Sequence, residues 1–348
     1  MSNLPPSGEI PRGAIRFNTD SNKPELWDGS QWAEFQLSTP NLAESGDRQP
    51  GARGLLFGGY SPNASTRSDE IQYINISSTG NAQDFGDLLS STHTPLSNSS
   101  STRACIGGGN TPSGDTNTIQ FVTIASTGNA TNFGDLTQIR RNSDGLSNQT
   151  RGLFCGGWKS PANYDVIDYI TIASTGDAVD FGNLTAAREF IGTCASPTRG
   201  VIMGGQNPSN FDTVEFVTIA TLGNGTDYGD ITVATATGGC CSNPVRGLYA
   251  GGRTTGDSIN TGYYITIASS GNTTAFGDLT VARELLTACS SSTRGVFAGG
   301  YSPDAASDTL TNHIDYVQMM SLGNAVDFGD LVDDFTRFTA TSNAHGGL

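Results

Sequence analysis

Residues 151–184 read RGLFCGGWKSPANYDVIDYITIASTGDAVDFGNL, and variants of this stretch recur along the chain. Its opening arginine, usually followed by Gly, apolar residues and Gly-Gly, recurs at Arg53, Arg103, Arg151, Arg199, Arg246 and Arg294. Its closing F/Y-G-D/N-L/I cluster recurs at Phe85, Phe133, Phe181, Tyr228, Phe276 and Phe328. The arginines are 47 to 50 residues apart, so most of the 348-residue chain consists of six copies of one unit. Repeats of this period indicate an array that grows by copy number.

The composition favours short strands and turns over helices. The chain has 45 glycines and only 15% charged residues, whereas long helices are rich in Ala, Leu, Glu, Lys and Arg. The net charge of −15 repels phosphate backbones and anionic membrane surfaces, so we expect no nucleic-acid partner and no membrane insertion. No apolar run approaches the roughly 20 residues that span a bilayer, and no Sec signal peptide is evident. We therefore expect synthesis in a cytoplasm, with any exit by another route such as cell lysis.

Each repeat divides into four segments with strand-like patterns. Strand one precedes the arginine, as in residues 190–195, and strand two is the RGLFCGG segment. Strand three is the VIDYITIAS segment at residues 166–174, and strand four enters the FGDL cluster. Strand three is apolar on both faces, with Ile167 on one and Ile170 on the other, which suits a sheet packed between two others. The sequence predicts an all-β fold in which residues 46–348 form a six-bladed β-propeller.

The end of the chain carries a fragment of a further repeat. Residues 340–348 align with residues 288–296, which are the first strand and the start of the second in the sixth copy. No comparable strand clearly precedes Arg53. We therefore predict that the C-terminal strand completes the first blade and closes the ring, which removes the open sheet edges.

A unit of this length with four strands and a Gly-Gly doublet resembles the kelch repeat, a propeller-forming family. The resemblance covers residues 53–348 and includes the hydrophobic-Gly-Gly segment and the aromatic residue of strand three. It departs at strand four, where the kelch pattern expects tryptophan and this chain has Phe or Tyr. The resemblance implies a kelch-like propeller.

Residues 1–45 lie outside the repeats and are predicted to form a short β-hairpin that carries Trp27 and Trp32. Because a lone hairpin is marginally stable in water, we expect it to pack on another protein or on the propeller. The stretch GAIRFNTDSNKPELWDGSQW resembles a module at the N-termini of tailed-bacteriophage virion proteins, especially fibres. The repeat style, IDYITIASTG followed by DFG-L, resembles structural proteins of marine cyanobacterial phages. These resemblances imply a virion protein whose attachment segment contains both tryptophans.

Several motifs that could indicate chemistry are better explained by the repeat. Asp-Phe-Gly at residues 84–86 is one of six variants, so we interpret it as architecture, and we interpret the repeat arginines as structural groups that bond carbonyls of the next blade. Cys194, Cys241 and Cys289 occupy one equivalent position, where small buried side chains are wanted. The three histidines lie in different repeats. We therefore expect no catalytic residue, no metal and no cofactor.

The loops after strands two and four should share one rim of a meandering propeller, and these loops differ between copies. Variable loops on a rigid scaffold commonly carry recognition, although ordinary loop drift would look similar. Their aromatic and polar residues suit sugars or proteins. The candidates for the binding face are Tyr60, Trp158, Tyr164, Phe211, Arg253 and Tyr301.

The resemblances to virion proteins, together with the lack of a catalytic motif, therefore imply a non-enzymatic phage virion protein, associated with a tail or fibre. Its partners would be other virion proteins and a host-surface glycan or protein, and several copies on one particle would add avidity. Two alternatives remain open: a carbohydrate-active propeller enzyme, which needs a pair of carboxylates at one end of the ring, and a kelch-type protein-interaction module.

Overall fold

The computed structural model describes residues 11–18, 23–27, 29–34, 53–61, 66–303 and 309–348. The chain divides into two compact units, residues 1–49 and residues 50–348. The described residues form strands and turns, and none of them belongs to a helix that could cross a membrane. The prediction of an all-β fold is confirmed.

The N-terminal unit contains the predicted hairpin extended by a third strand. The antiparallel strands are, in sheet order, Ile15–Asn18, Lys23–Trp27 and Trp32–Glu34. Trp27 is buried and lies opposite Trp32, with the two ring centroids 5.5 Å apart. The guanidinium of Arg16 lies 4.3 Å from the Trp32 ring, and its Nε is 2.7 Å from the Glu25 carboxylate. Trp27 therefore packs against Trp32, and Trp32 also stacks with the guanidinium of Arg16.

The described part of the larger unit forms six four-stranded antiparallel sheets, one for each repeat. In blades 1 to 6 the first strands are Thr339–Ser342, Leu96–Ser99, Asp144–Ser147, Gly192–Ala195, Gly239–Ser242 and Thr287–Ser290. The second strands are Arg53–Phe57, Arg103–Gly107, Arg151–Lys159, Arg199–Met203, Arg246–Ala250 and Arg294–Ala298. Each second strand carries the repeat arginine at its first position.

The outer half of each blade follows the same order. The third strands are Glu70–Asn75, Thr118–Thr123, Ala162–Thr171, Thr213–Thr218, Thr261–Thr266 and His313–Gln318. The fourth strands are Gln83–Asp87, Thr131–Asp135, Val179–Asn183, Thr226–Asp230, Thr274–Asp278 and Val326–Asp330. Three blades add a two-stranded ribbon after strand two: Tyr60–Ser61 with Thr66–Arg67, Asn110–Thr111 with Gly114–Asp115, and Tyr301–Ser302 with Thr309–Leu310.

The sheets close into a ring because the first strands of neighbouring blades contact one another in a complete cycle. Thr339–Ser342 pairs antiparallel with Arg53–Phe57 and supplies the first strand of blade 1. Beyond that strand, the side-chain oxygen of Asn343 accepts the N–H of Arg53 over 3.1 Å. The six-bladed propeller and the C-terminal clasp, both predicted from the repeat, are confirmed.

The repeat arginine joins each blade to the next. In every copy Nη1 donates to a main-chain carbonyl just after strand three of the following blade, over 2.7 to 3.3 Å. The acceptors, in blade order, are Ile124, Ile172, Ile219, Ile267, Met319 and Ile76. The same guanidinium stacks 4.2 to 4.6 Å from the strand-three aromatic of its own blade. The structural role predicted for these arginines is confirmed.

The other recurrent motifs lock the outer edges of the blades together. The N–H of Gly128, in the turn after strand three of blade 2, donates to the carbonyl of Phe85 in blade 1 over 2.8 Å. The neighbouring Asn129 accepts the N–H of Asp87. The equivalent bond from Gly80 to the carbonyl of Phe328 joins blade 1 to blade 6. The Phe-Gly-Asp motif and the Thr-Gly-Asn turn are therefore two halves of one contact between blades, as the architectural interpretation predicted.

The cysteines serve packing between blades. All six are buried and free of disulfides. The thiols of Cys194, Cys241 and Cys289 lie against Gly247, Gly295 and Gly54 of the next blade, where any added Cβ would collide with the sulfur. The equivalent position holds Leu146 and Asn98 in two other blades, so the expectation of a small side chain there was too narrow. The space for this side chain comes from the glycine of the next blade, which has no side chain of its own.

Candidate binding face

The loops after strands two and four meet on one rim of the propeller. Both glycines of every Gly-Gly pair have positive φ, which turns the chain sharply after strand two. The residue after the pair then forms a short antiparallel bridge to the loop that follows strand four. The six bridges are Tyr60 to Thr336, Asn110 to His93, Trp158 to Arg141, Gln206 to Glu189, Arg253 to Ala236 and Tyr301 to Glu284. The predicted pairing of these two loop sets on one rim is confirmed.

The residue next to each bridge lies closer to the axis and has an unusual backbone. These six residues are the described non-glycine residues with positive φ, at 53° to 64°: Thr94, Asn142, Phe190, Thr237, Leu285 and Arg337. Each N–H donates to the carbonyl of the preceding member over 2.6 to 3.2 Å, and Thr94 closes the cycle by donating to Arg337. Left-handed backbone costs on the order of 1 kcal/mol at each non-glycine residue, so the closed cycle of hydrogen bonds must hold it. We call these six residues the axial ring.

The axial ring surrounds the mouth of a cavity on the propeller axis. All six ring residues line this cavity, which has a volume of about 70 Å³ and continues inward along the first strands. Phe190 and Leu285 supply half-buried apolar surface, and Asn142 and Arg337 supply polar groups. Apolar walls with a few convergent polar groups are typical of small-ligand sites.

Asp144 is the one acid among the residues that line the axial cavity. Its Oδ1 accepts the N–H of Gly145, and its Oδ2 accepts both the N–H and the hydroxyl of Thr193 over 3.2 and 3.0 Å. Burial raises the pKa of this carboxyl from 3.8 to about 7, despite the three donors. Asp144 is therefore poised between an ionised and a protonated form near neutral pH.

Three arginines surround His93 at this rim. Burial, followed by the charges of Arg67, Arg141 and Arg337, lowers the pKa of His93 to about 4. Arg67 donates twice to the side-chain oxygen of Asn110. Arg141 lies 3.4 Å from the Asp115 carboxylate and stacks on Trp158. Part of the rim is thus cationic on a chain of net charge −15.

The six sequence-predicted binding residues lie on this rim but do not form one site. Tyr60 and Tyr301 line a common groove with Glu284 and Arg337. In the extended hairpin of blade 3, Trp158 pairs with Asn163 and Tyr164 pairs with Gly157. Phe211 lies 5.4 Å from the guanidinium of the buried Arg188, and Arg253 is exposed, with its Nε 3.7 Å from Glu284.

The axial ring and Asp144 were not among the predicted site residues. Asp144 could have been found by aligning the copies, since its column otherwise contains Leu96, Gly192, Gly239, Thr287 and Thr339. The axial ring leaves no such signal, because its six members include five residue types, with only Thr94 and Thr237 alike. Only the closure of the backbone cycle brings them together.

Residues 343–348 cover the opposite end of the axial channel. The imidazole Nε2 of His345 lies 3.0 Å from the carbonyl oxygen of Ser99 and 3.2 Å from the hydroxyl of Ser147. A Cβ at Gly346 or Gly347 would collide with the main chain of the surrounding blades. Burial lowers the pKa of His345 to about 4. The axial cavity therefore opens at the rim formed by the loops after strands two and four, which we call the variable rim.

Comparison with protein-family models finds no match to this chain, and comparison with curated proteins finds no significant one.

Proposed function

We propose that this chain is a non-enzymatic structural protein of a tailed-bacteriophage particle, associated with its tail or fibres. The N-terminal unit would attach the chain to the particle. The variable rim of the propeller would contact a neighbouring virion protein or a glycan or protein of the host surface. The phage assignment rests on the resemblance of the N-terminal stretch and of the repeat style to virion proteins.

The contrast between the two rims supports a binding role for the variable rim. On the rim of the Thr-Gly-Asn turns, the recurrent residues are engaged in contacts between blades. On the other rim, the six positions of the axial ring carry five residue types and surround an open cavity. A surface that varies on a constant scaffold is where recognition is expected.

The acids of the variable rim support a non-catalytic role. Glycoside hydrolysis uses two carboxyl groups that flank the scissile bond. Asp144 is the one acid that lines the axial cavity. Glu189 at the rim accepts a hydrogen bond from Asn142, and Asp115 lies 3.4 Å from Arg141. These acids are committed to neighbouring side chains rather than paired across the cavity.

Particle incorporation tests the attachment role. We expect Trp27→Ala in the full chain to reduce the copies per particle, measured by quantitative mass spectrometry of purified virions, because it removes the ring that packs against Trp32. The melting temperature of the propeller should not change. Asn148→Ala, in a turn of the propeller, is the control and should enter particles normally. Normal incorporation of the tryptophan variant would refute the attachment role, and absence of the wild-type chain from purified particles would refute the virion assignment.

A further inference from the structure

We propose that the axial cavity binds a carboxylated sugar, with Arg337 holding the carboxylate. This inference rests on the proposed binding function of the variable rim and names the ligand class for it. Three observations support it. Arg337 is unpaired at the mouth, the N–H groups of the axial ring are already hydrogen-bonded, and Asp144 lies deeper in the cavity.

Arg337 is the charged member of the axial ring, and its guanidinium is exposed. Among the described residues it has no hydrogen-bond or ion-pair partner, although other arginines of the propeller are engaged. The other polar ring side chains are occupied: Thr94 and Thr237 donate to carbonyls, and Asn142 donates to Glu189. A free guanidinium presents a planar fork that matches a carboxylate.

The backbone of the axial ring cannot serve as the recognition element. Each ring N–H already donates to a neighbouring ring carbonyl, so a ligand must be recognised by side chains. The cyclic order places Phe190 three steps from Arg337 in both directions, hence on the far side of the mouth. A ligand that spans the mouth therefore meets a cation on one side and an aromatic ring on the other.

The floor of the cavity favours a hydroxylated ligand. A carboxylate offers about four acceptor positions, and three donors occupy Asp144. The remaining position can accept a sugar hydroxyl. A simple carboxylate would satisfy Arg337 alone, whereas a sugar acid would also reach Asp144 and the apolar wall.

The cations on the Arg337 side of the mouth favour an anion there over a neutral sugar, whereas Glu189 lies beside Asn142 elsewhere on the ring. Arg67 and Arg141 lie close enough to Arg337 for all three charges to act on His93. The nearby Asp115 lies between Arg141 and Asn110 and is not free to repel a ligand. An anionic sugar is thus attracted to this mouth even though the whole chain is acidic.

Titration calorimetry of the full chain tests this proposal with glucuronate, glucose and acetate as probes. We expect glucuronate to bind more tightly than either other probe. Arg337→Gln should weaken glucuronate binding about ten- to a hundredfold, the range for one lost charged hydrogen-bonding group. Arg12→Gln, which changes an exposed arginine of the N-terminal unit, is the matched control and should bind normally. Asp144→Asn should weaken glucuronate and leave acetate binding unchanged.

Absence of glucuronate binding would overturn the proposal, as would equal binding by Arg337→Gln of unchanged melting temperature. Acetate binding as tight as that of glucuronate would overturn the assignment to a sugar. If Arg337→Gln does not fold, Arg337→Lys replaces it and should still weaken binding, because lysine lacks the planar fork. A wild-type chain that enters particles but ignores glucuronate would refute this ligand and leave the proposed function intact. A chain that binds glucuronate but is absent from particles would refute the proposed function alone.

Discussion

At the residue scale, the copies of the repeat differ in a coordinated way at one buried position. Arg140, Arg188 and Arg283 are fully buried in the loops after strand four. Each pairs with an acid on strand three of the next blade, namely Asp168, Glu215 and Asp315 respectively. In the remaining blades Thr92, Thr235 and Phe335 replace the arginine, and Gln120, Tyr263 and Gln72 replace the acid. An arginine is therefore present where the next blade supplies a carboxylate.

This pattern predicts that stability is kept only when the buried arginine and its acid are replaced together. Arg188→Thr should lower the free energy of unfolding by about 3–5 kcal/mol, because it leaves Glu215 buried without its cation. The double variant Arg188→Thr/Glu215→Gln should recover most of that loss, since Gln120 accepts the loop N–H of Leu89 in the same position beside Thr92. Urea unfolding of both variants measures the difference. Equal losses in the single and double variants would contradict the pairing.

Asp144 predicts a pH dependence of stability. Its pKa is about 7 in the folded chain and 3.8 ordinarily, so folding takes up a proton between these values. The free energy of unfolding should therefore fall through this group as the pH rises from about 4 to about 7, and then level off. Asp144→Asn should remove that fall, measured by urea unfolding across the range. Parallel curves for the variant and the wild type would exclude a raised pKa.

The buried histidines act in the opposite direction. The pKa values of His93 and His345 are about 4 in the folded chain, below the ordinary 6.5. They therefore reduce stability as the pH falls from 6.5 towards 4, and this effect should persist in Asp144→Asn.

At the element scale, the repeat pattern predicted the four strands, their order and the borrowed first strand of blade 1. These features follow from local alternation and from alignment of the copies, so they could be read without a structure. The axial ring could not, because its left-handed backbone at residues as different as Phe190 and Thr237 depends on closure of the whole cycle. The predicted binding-face residues lie on the rim of the loops after strands two and four, and none of them lines the axial cavity.

The clasp predicts a strong dependence on the C-terminal strand. Deletion of residues 339–348 should lower the melting temperature by about 10 °C or more, because it leaves Arg53–Phe57 as an open edge against the axis. Deletion of residues 344–348 is the control, since it keeps the strand Thr339–Ser342 and removes only the cover of the channel. Calorimetry should give the larger drop for the longer deletion. An unchanged melt in the longer deletion would refute the clasp.

At the scale of the whole molecule, one scaffold presents two unlike surfaces. The recurrent arginines, the Phe-Gly-Asp motif and the Thr-Gly-Asn turns all serve contacts between blades. The recurrent residues thus explain the closed ring, and the residues in which the copies differ are concentrated around the axial mouth. We therefore assign architecture to what repeats and propose binding where the repeat is broken.

Hydrogen exchange of the full chain tests this division between architecture and binding surface most directly. The comparison is between the free protein and the same protein assembled in particles or bound to host envelopes. We predict added protection in the loops after strands two and four, including the axial ring and the residues that follow the Gly-Gly pairs. The Thr-Gly-Asn turns should exchange equally in both states. Protection confined to those turns, with the axial mouth unchanged, would contradict the account.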